Sequence, residues 1–286
     1  MPSVTRVADQ CKQPYGGYIK AAWFEKTQLS NAPLSLDAEN ISPILVGLAV
    51  DYLTRFQSGL PKEEAFGISL AAAEIADHLM PGRLDEAREA LDGISGLDKE
   101  SIVNACKIVS FDVWRRSILA AMTTGSHLSI PNSITVDHIR RMVQRSMHFL
   151  KLYGPVVSYK FTFDPPNGDV ADYISMKETG EGRYGGYTPA VSSGDGDFHT
   201  KDTIWDFKVS KRELTSKQTL QLLMYYIMGK HSDQKQYETI NKLGVYNPRL
   251  DTVYLLEAER IPKLVFKRVG RDVLKYTEDE LMRVRF

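Results

Sequence analysis

Between residues 191 and 229 the chain reads as strand, turn, strand and helix, and little else can form around that order. Val191 to Phe198 and Thr203 to Ser210 carry β-branched and aromatic residues between turn-type residues, which predicts two extended segments. Thr215 to Gly229 predicts a helix. A hydroxyl residue can cap its start and Gly229 can end it. Leu220, Leu223, Met224 and Ile227 recur at i, i+3, i+4 and i+7 as one apolar stripe.

The polar residues of these segments fall in register. Paired as an antiparallel hairpin around Lys201-Asp202, the strands set Asp197 opposite Asp206 and Asp195 opposite Lys208. A two- or four-residue loop keeps that register, whereas a three-residue loop slips it. Side chains at i and i+2 share a strand face, so Asp206 and Lys208 point the same way, as do Asp195 and Asp197. Two carboxylates directly across a hairpin repel, and a bound divalent cation is the natural reason to tolerate them. Mg²⁺ and Mn²⁺ prefer oxygen ligands. Asp197, Asp206 and the main-chain carbonyl of Phe207 make such a set, and Lys208 adds a positive point charge. An isolated Asp-x-Lys reads more simply as a charged solvent face. On the helix, Gln218, Gln221 and Tyr225 form an uncharged polar stripe. Gln221 and Tyr225 lie one turn apart and can act on one neighbour; taken alone, the pair reads as a tyrosine packed in a core.

Taken together, Gly194-x-x-Asp197, Asp206-x-Lys208 and Gln221-x-x-x-Tyr225 resemble the PD-(D/E)XK nuclease superfamily, and within it the RecB-like nucleases. The resemblance spans Gly194 to Gly229. It implies an α/β fold with a mixed-sheet, restriction-endonuclease-like core and flanking helices. It also implies that Asp197 and Asp206 bind Mg²⁺ or Mn²⁺, that Lys208 is catalytic, and that Gln221 with Tyr225 supports the site or contacts DNA. The implied activity is a metal-dependent DNA nuclease, exo- or endonucleolytic, acting by in-line attack of a metal-activated water, with DNA repair or phage defence as settings. The alternative is a catalytically silent protein of the same fold that binds nucleic acid or a protein partner. RecB-like enzymes usually add a histidine from a preceding helix. Val136 to Tyr153 predicts that helix, with His138 and His148 as candidates and Asp164 as another possible acid; the fourth active-site position stays open. Iron–sulfur relatives hold their cluster with four cysteines, and Cys11 and Cys106 cannot do so. The chain has no Gly-x-x-x-x-Gly-Lys-[Ser/Thr] loop, so ATP-driven translocation would need a separate ATPase or helicase subunit.

The remainder predicts a loop and an all-helical region over 1–130, followed by the nuclease-like domain over 131–286. Ile41 to Phe56, Lys62 to Met80, Arg83 to Leu91 and Lys99 to Ile118 show helical spacing with short connections. Further strands are expected at Val156 to Phe163, Thr252 to Leu256 and Lys263 to Val269, and a short helix at Glu278 to Arg283. Asp164 to Tyr187, rich in Gly, Pro and acids, predicts a long loop, either a flap near the site or a partly disordered segment. Net charge is zero, which excludes a general polyanion binder. Yet residues 1–100 carry 9 Lys/Arg against 15 Asp/Glu, whereas residues 201–286 carry 17 against 12. Positive charge therefore gathers in the half with the motifs, as local phosphate contacts require. No apolar run reaches membrane-spanning length and the first residues lack a signal pattern, so a cytoplasmic protein without membrane contact is the expectation.

Overall fold

The computed structural model describes residues 2–124, 130–163, 186–191 and 194–284. It is an α/β structure built on a six-stranded mixed sheet. The strands are β1 (Glu25–Gln28), β2 (Ser158–Thr162), β3 (Asp195–His199), β4 (Thr203–Phe207), β5 (Lys242–Asn247) and β6 (Thr252–Glu257), in the spatial order β1-β6-β5-β4-β3-β2. Only β4 and β5 pair in parallel. A parallel pair cannot be closed by a tight turn, and the helix Ser216–His231 fills the crossover.

In chain order the helices are α1 (Val4–Gln10), α2 (Pro43–Gln57), α3 (Lys62–Ala65), α4 (Gly67–Leu79), α5 (Arg83–Asp92), α6 (Lys99–Val109), α7 (Asp112–Arg116), α8 (Ile118–Thr124), α9 (Ser133–Tyr153), α10 (Ser216–His231), α11 (Gln236–Thr239), α12 (Lys263–Val269) and α13 (Glu278–Arg283). Local chemistry sets their ends. The Thr215 hydroxyl accepts from the Gln218 N–H while the Gln218 side chain accepts from the Thr215 N–H, a reciprocal cap that starts α10. Asn132 caps α9 by accepting from the Thr135 N–H. The expected helix over Lys62 to Met80 divides at Phe66, whose ring packs edge-on against Tyr52. The one over Lys99 to Ile118 divides into α6, α7 and the start of α8.

Among the described residues three apolar clusters result, two of them joined by one helix. Leu220, Leu222, Leu223, Met224, Ile227 and Met228 make α10 apolar nearly all round, and it is buried between the sheet, α1 and the C-terminal segments. Helices α2 to α8 enclose a second core. Helix α9 joins that second core to a third, aromatic cluster on the sheet. Val136, Ile139, Met142 and Val143 belong to the helical core, whereas Phe149, further along, stacks on Tyr246 at 4.1 Å and meets Trp205 edge-on at 4.9 Å under the sheet. Val4, Ala8, Ile19 and Phe24 join the sheet's core, and β1 pairs with β6.

One expected strand is a helix. Lys263–Val269 forms α12, with Pro262 just before it in an extended conformation. Three consecutive apolar residues, Leu264 to Phe266, suggest a strand. The burial instead recurs at helical spacing, with Val265, Phe266 and Val269 inward and Leu264 exposed. Asp164 and most of the expected loop from Asp164 to Tyr187 lie outside the described residues.

A buried ionic fork ties the segment before α2 to the β5–β6 turn. Arg249 grips Glu39 at two points, 2.7 and 2.9 Å, and His138 Nδ1 lies 2.8 Å from the same carboxylate. Both partners of the fork are almost fully buried. Arg145 of α9 donates to the carbonyls of Pro248 and Arg249 in that turn. Removing one member of a buried pair strands the other charge, at a cost of about 3–5 kcal/mol. Glu39→Ala is therefore expected to lower the urea unfolding free energy by about that amount, and a change below about 1 kcal/mol would show that the fork does not hold the two parts together.

Candidate active site

The site forms where β3 and β4 part. Their ladder pairs Phe198 with Trp205 and His199 with Ile204, the register read from the sequence. One step further along that register, Asp197 stands across from Asp206, and pairing stops. Another step would set Phe207 opposite Gly196, but the Phe207 N–H donates instead to Asp197 Oδ2 at 2.5 Å. Strand β4 stays on β5, through the Lys208 N–H to the Tyr246 carbonyl at 2.9 Å. Strand β3 stays on β2, which passes very close: a Cβ added to Gly196 would fall 1.7 Å from the Phe161 ring. Only glycine fits there.

Asp206 is 2% exposed. Its Oδ1 pairs with Lys208 Nζ at 3.0 Å, whereas its Oδ2 is buried with no hydrogen-bond partner among the described residues. Burial pushes the Asp206 pKa up to about 6, against the pull of Lys208 and with help from the Asp197 charge. Burial acts against charge on Lys208 too, but Asp206 and Asp197 more than offset it and its pKa rises. Lys208 is thus a fixed cation between two acids. The N–H and C=O of one residue leave a strand on the same side, so the Phe207 carbonyl shares the edge that faces Asp197.

Gln221 and Tyr225 are buried on α10 behind this point. The Tyr225 hydroxyl donates to the Asp195 carbonyl at 2.7 Å and receives Gln221 Nε2 at 3.2 Å, and Gln221 also reaches the Thr5 hydroxyl of α1. Burial raises the Tyr225 pKa, so it remains a phenol. Both side chains therefore hold the start of β3 from behind. The Asp195 residue itself is exposed. Of the two histidine candidates, His138 is engaged with Glu39 and His148 is exposed on α9.

Two residues not singled out in the sequence feel the charge of Asp197. Asp51 and Arg55 of α2 form a two-point pair, Nε to Oδ1 at 2.9 Å and Nη2 to Oδ2 at 2.7 Å. Burial raises the Asp51 pKa; Arg55 opposes this and the Asp197 charge adds to it. In sequence they read as an ordinary i, i+4 surface pair, and no local signal ties them to a strand so far away in the chain.

Among the described residues no three or more His, Cys, Asp or Glu side chains group to hold a metal. The donors present are two carboxylates and one main-chain carbonyl. That set suits a hard cation that keeps several waters, and the unpartnered Asp206 Oδ2 is the acceptor such an ion would satisfy. No family model matches the chain, and neither a curated protein nor a solved structure matches it. Among the described residues no helix is long and apolar enough to cross a membrane.

Asp206 holds its proton more tightly folded than unfolded, so the folded state binds more protons between its ordinary pKa of 3.8 and about 6. Unfolding free energy contributed by this group is present below that window and is lost as pH rises through it. In metal-free buffer, Asp206→Asn should remove this loss. Urea unfolding across the window checks it, and parallel pH profiles for the two proteins would contradict the assigned shift.

Proposed function

We propose that the chain is a metal-dependent nuclease that hydrolyses phosphodiester bonds, with DNA as its substrate. The observation that carries this reading is the meeting of Asp197, Asp206 and Lys208 where β3 and β4 separate, with one buried carboxylate oxygen that has no partner among the described residues. The motif resemblance supplies the reaction class. The mixed sheet with helices packed on it is compatible with a restriction-endonuclease-like core. The excess of Lys and Arg over residues 201–286 suits phosphate contacts.

Asp197, Asp206 and the Phe207 carbonyl would hold Mg²⁺ or Mn²⁺. When bound, such an ion polarises a phosphoryl oxygen and lowers the pKa of a coordinated water. The protein's own groups do the rest. Lys208, fixed by its contact with Asp206, sets a positive charge where negative charge develops on the phosphate and orients the attacking water. Asp206, charged above about pH 6, keeps that ammonium in place. Tyr225 and Gln221 fix the main chain of β3 and so the direction of Asp197. Strand separation by ATP would come from a separate ATPase or helicase subunit.

Incubation of linear, circular and single-stranded DNA with Mg²⁺ or Mn²⁺ tests the proposal and distinguishes exo- from endonuclease action. Asp206→Ala should lower the rate by about a thousandfold or more, the equivalent of several kcal/mol of lost transition-state stabilisation. Wild type and variant behaving alike would end the enzyme reading. Lys208→Ala should cost comparable activity yet less Mn²⁺ affinity than Asp206→Ala. Calorimetric titration reads the difference, and equal losses of affinity would count against these separate roles.

A further inference from the structure

Helix α2 crosses the open end of the site. A Cβ added to Gly47 would lie 3.8 Å from Val209 Cβ, just beyond β4. Near the other end of the helix, the Tyr159 hydroxyl of β2 donates to Ser58 Oγ at 2.5 Å. In the sheet, β3 lies between β4 and β2. Residues 47, 51, 55 and 58 recur at spacings of four, four and three, which is one face of an α-helix. A helix face that touches the segment just past β4 at one end and β2 at the other spans the strand between them, and Asp51 and Arg55 lie between those two contacts. Of the strand residues, Asp197 is the one whose charge bears on both. The Arg55 guanidinium is held in one orientation. Asp51 grips it at two points and it sits over the Tyr52 ring, 5.5 Å from the centroid. Tyr52 is fixed in turn by donating to Asp112, as is Ser69.

We propose that Arg55, oriented by Asp51, is a positioning residue for Asp197, so that the helical region is part of the active centre and not an appendage to it. The catalytic part of this inference rests on the nuclease reading of the site; the placement of Arg55 does not. Asp197 bears on Asp51 on one side and on Asp206 on the other, and each of those two acids is paired with a cation, Arg55 and Lys208. Lys208 is committed to Asp206. Among the described residues Arg55 is the cation that lets Asp51 and Asp197 remain charged near each other, and its planar fork fixes geometry as a lysine cannot.

A double-mutant cycle tests the placement without any need for activity. Arg55→Met, Asp197→Asn and the double variant are unfolded in urea. The Asn side chain can still accept from the Phe207 N–H, so the cycle isolates charge. Arg55→Met should shift the unfolding constant at least threefold less in the Asp197→Asn background than in wild type; a difference below threefold overturns the proposal. Should Arg55→Met not fold, Arg55→Gln takes its place in the same cycle. Positioning is read separately with Arg55→Lys, which keeps the charge but cannot grip Asp51 at two points. Its kcat on DNA should fall at least tenfold with KM within threefold of wild type. An unchanged kcat, or a loss confined to KM, overturns the positioning role. A wild-type protein that cuts no DNA would refute the nuclease function instead, and the cycle would still decide where Arg55 acts.

Discussion

One main-chain N–H, that of Phe207, organises the centre of this molecule. Inside a sheet such a group has a carbonyl waiting for it on the next strand, and leaving it without a partner is costly. Here the side chain of Asp197 takes it in place of the Gly196 carbonyl. The exchange satisfies the donor while letting two strands part, which brings the main chain, two carboxylates and a lysine to one opening. Everything nearby serves that divergence. Phe161 pressed onto Gly196 keeps β3 with β2, the parallel ladder keeps β4 with β5, and Tyr225 holds the Asp195 carbonyl from behind.

The opening is also where the helical core and the sheet's aromatic cluster meet. Phe207 and Val209 pack against the helical core, and α9 contributes its first turns to that core and Phe149 to the sheet's aromatic cluster. Charge gathered at such a seam is shielded from water, which makes each pairing count. Asp206 with Lys208 and Asp51 with Arg55 are matched within reach of one another. An acid whose second oxygen stays unsatisfied in this setting is an exception that invites a ligand.

Much of this was legible from spacing. The period of two in the strands and of about four in the helix placed Asp197, Asp206, Gln221 and Tyr225 on the correct elements, because those periods come from backbone geometry alone, whereas Lys208, expected inside a strand reaching Ser210, lies one residue past the end of β4. The hairpin register followed from the short turn at Lys201-Asp202. Other features escaped for physical reasons. Strand β5 is inserted between β4 and β6 and buried throughout, so Leu243 to Tyr246 shows no alternation to detect. Strand β1, by contrast, is exposed at every position and owes its shape to β6. In α12 a short apolar run is ambiguous between strand and helix until burial decides. Asp51 and Arg55 could not be assigned to the site, because what relates them to it is the packing of α2 against Val209 and Tyr159 and not any local pattern.

The fork between Glu39 and Arg249 joins residues 210 positions apart. During synthesis Glu39 precedes its guanidinium partner by that whole interval. Until then the carboxylate has to stay hydrated, and the stretch around it cannot settle into its final place. The segment before α2 and the β5–β6 turn therefore lock together only once both have been made.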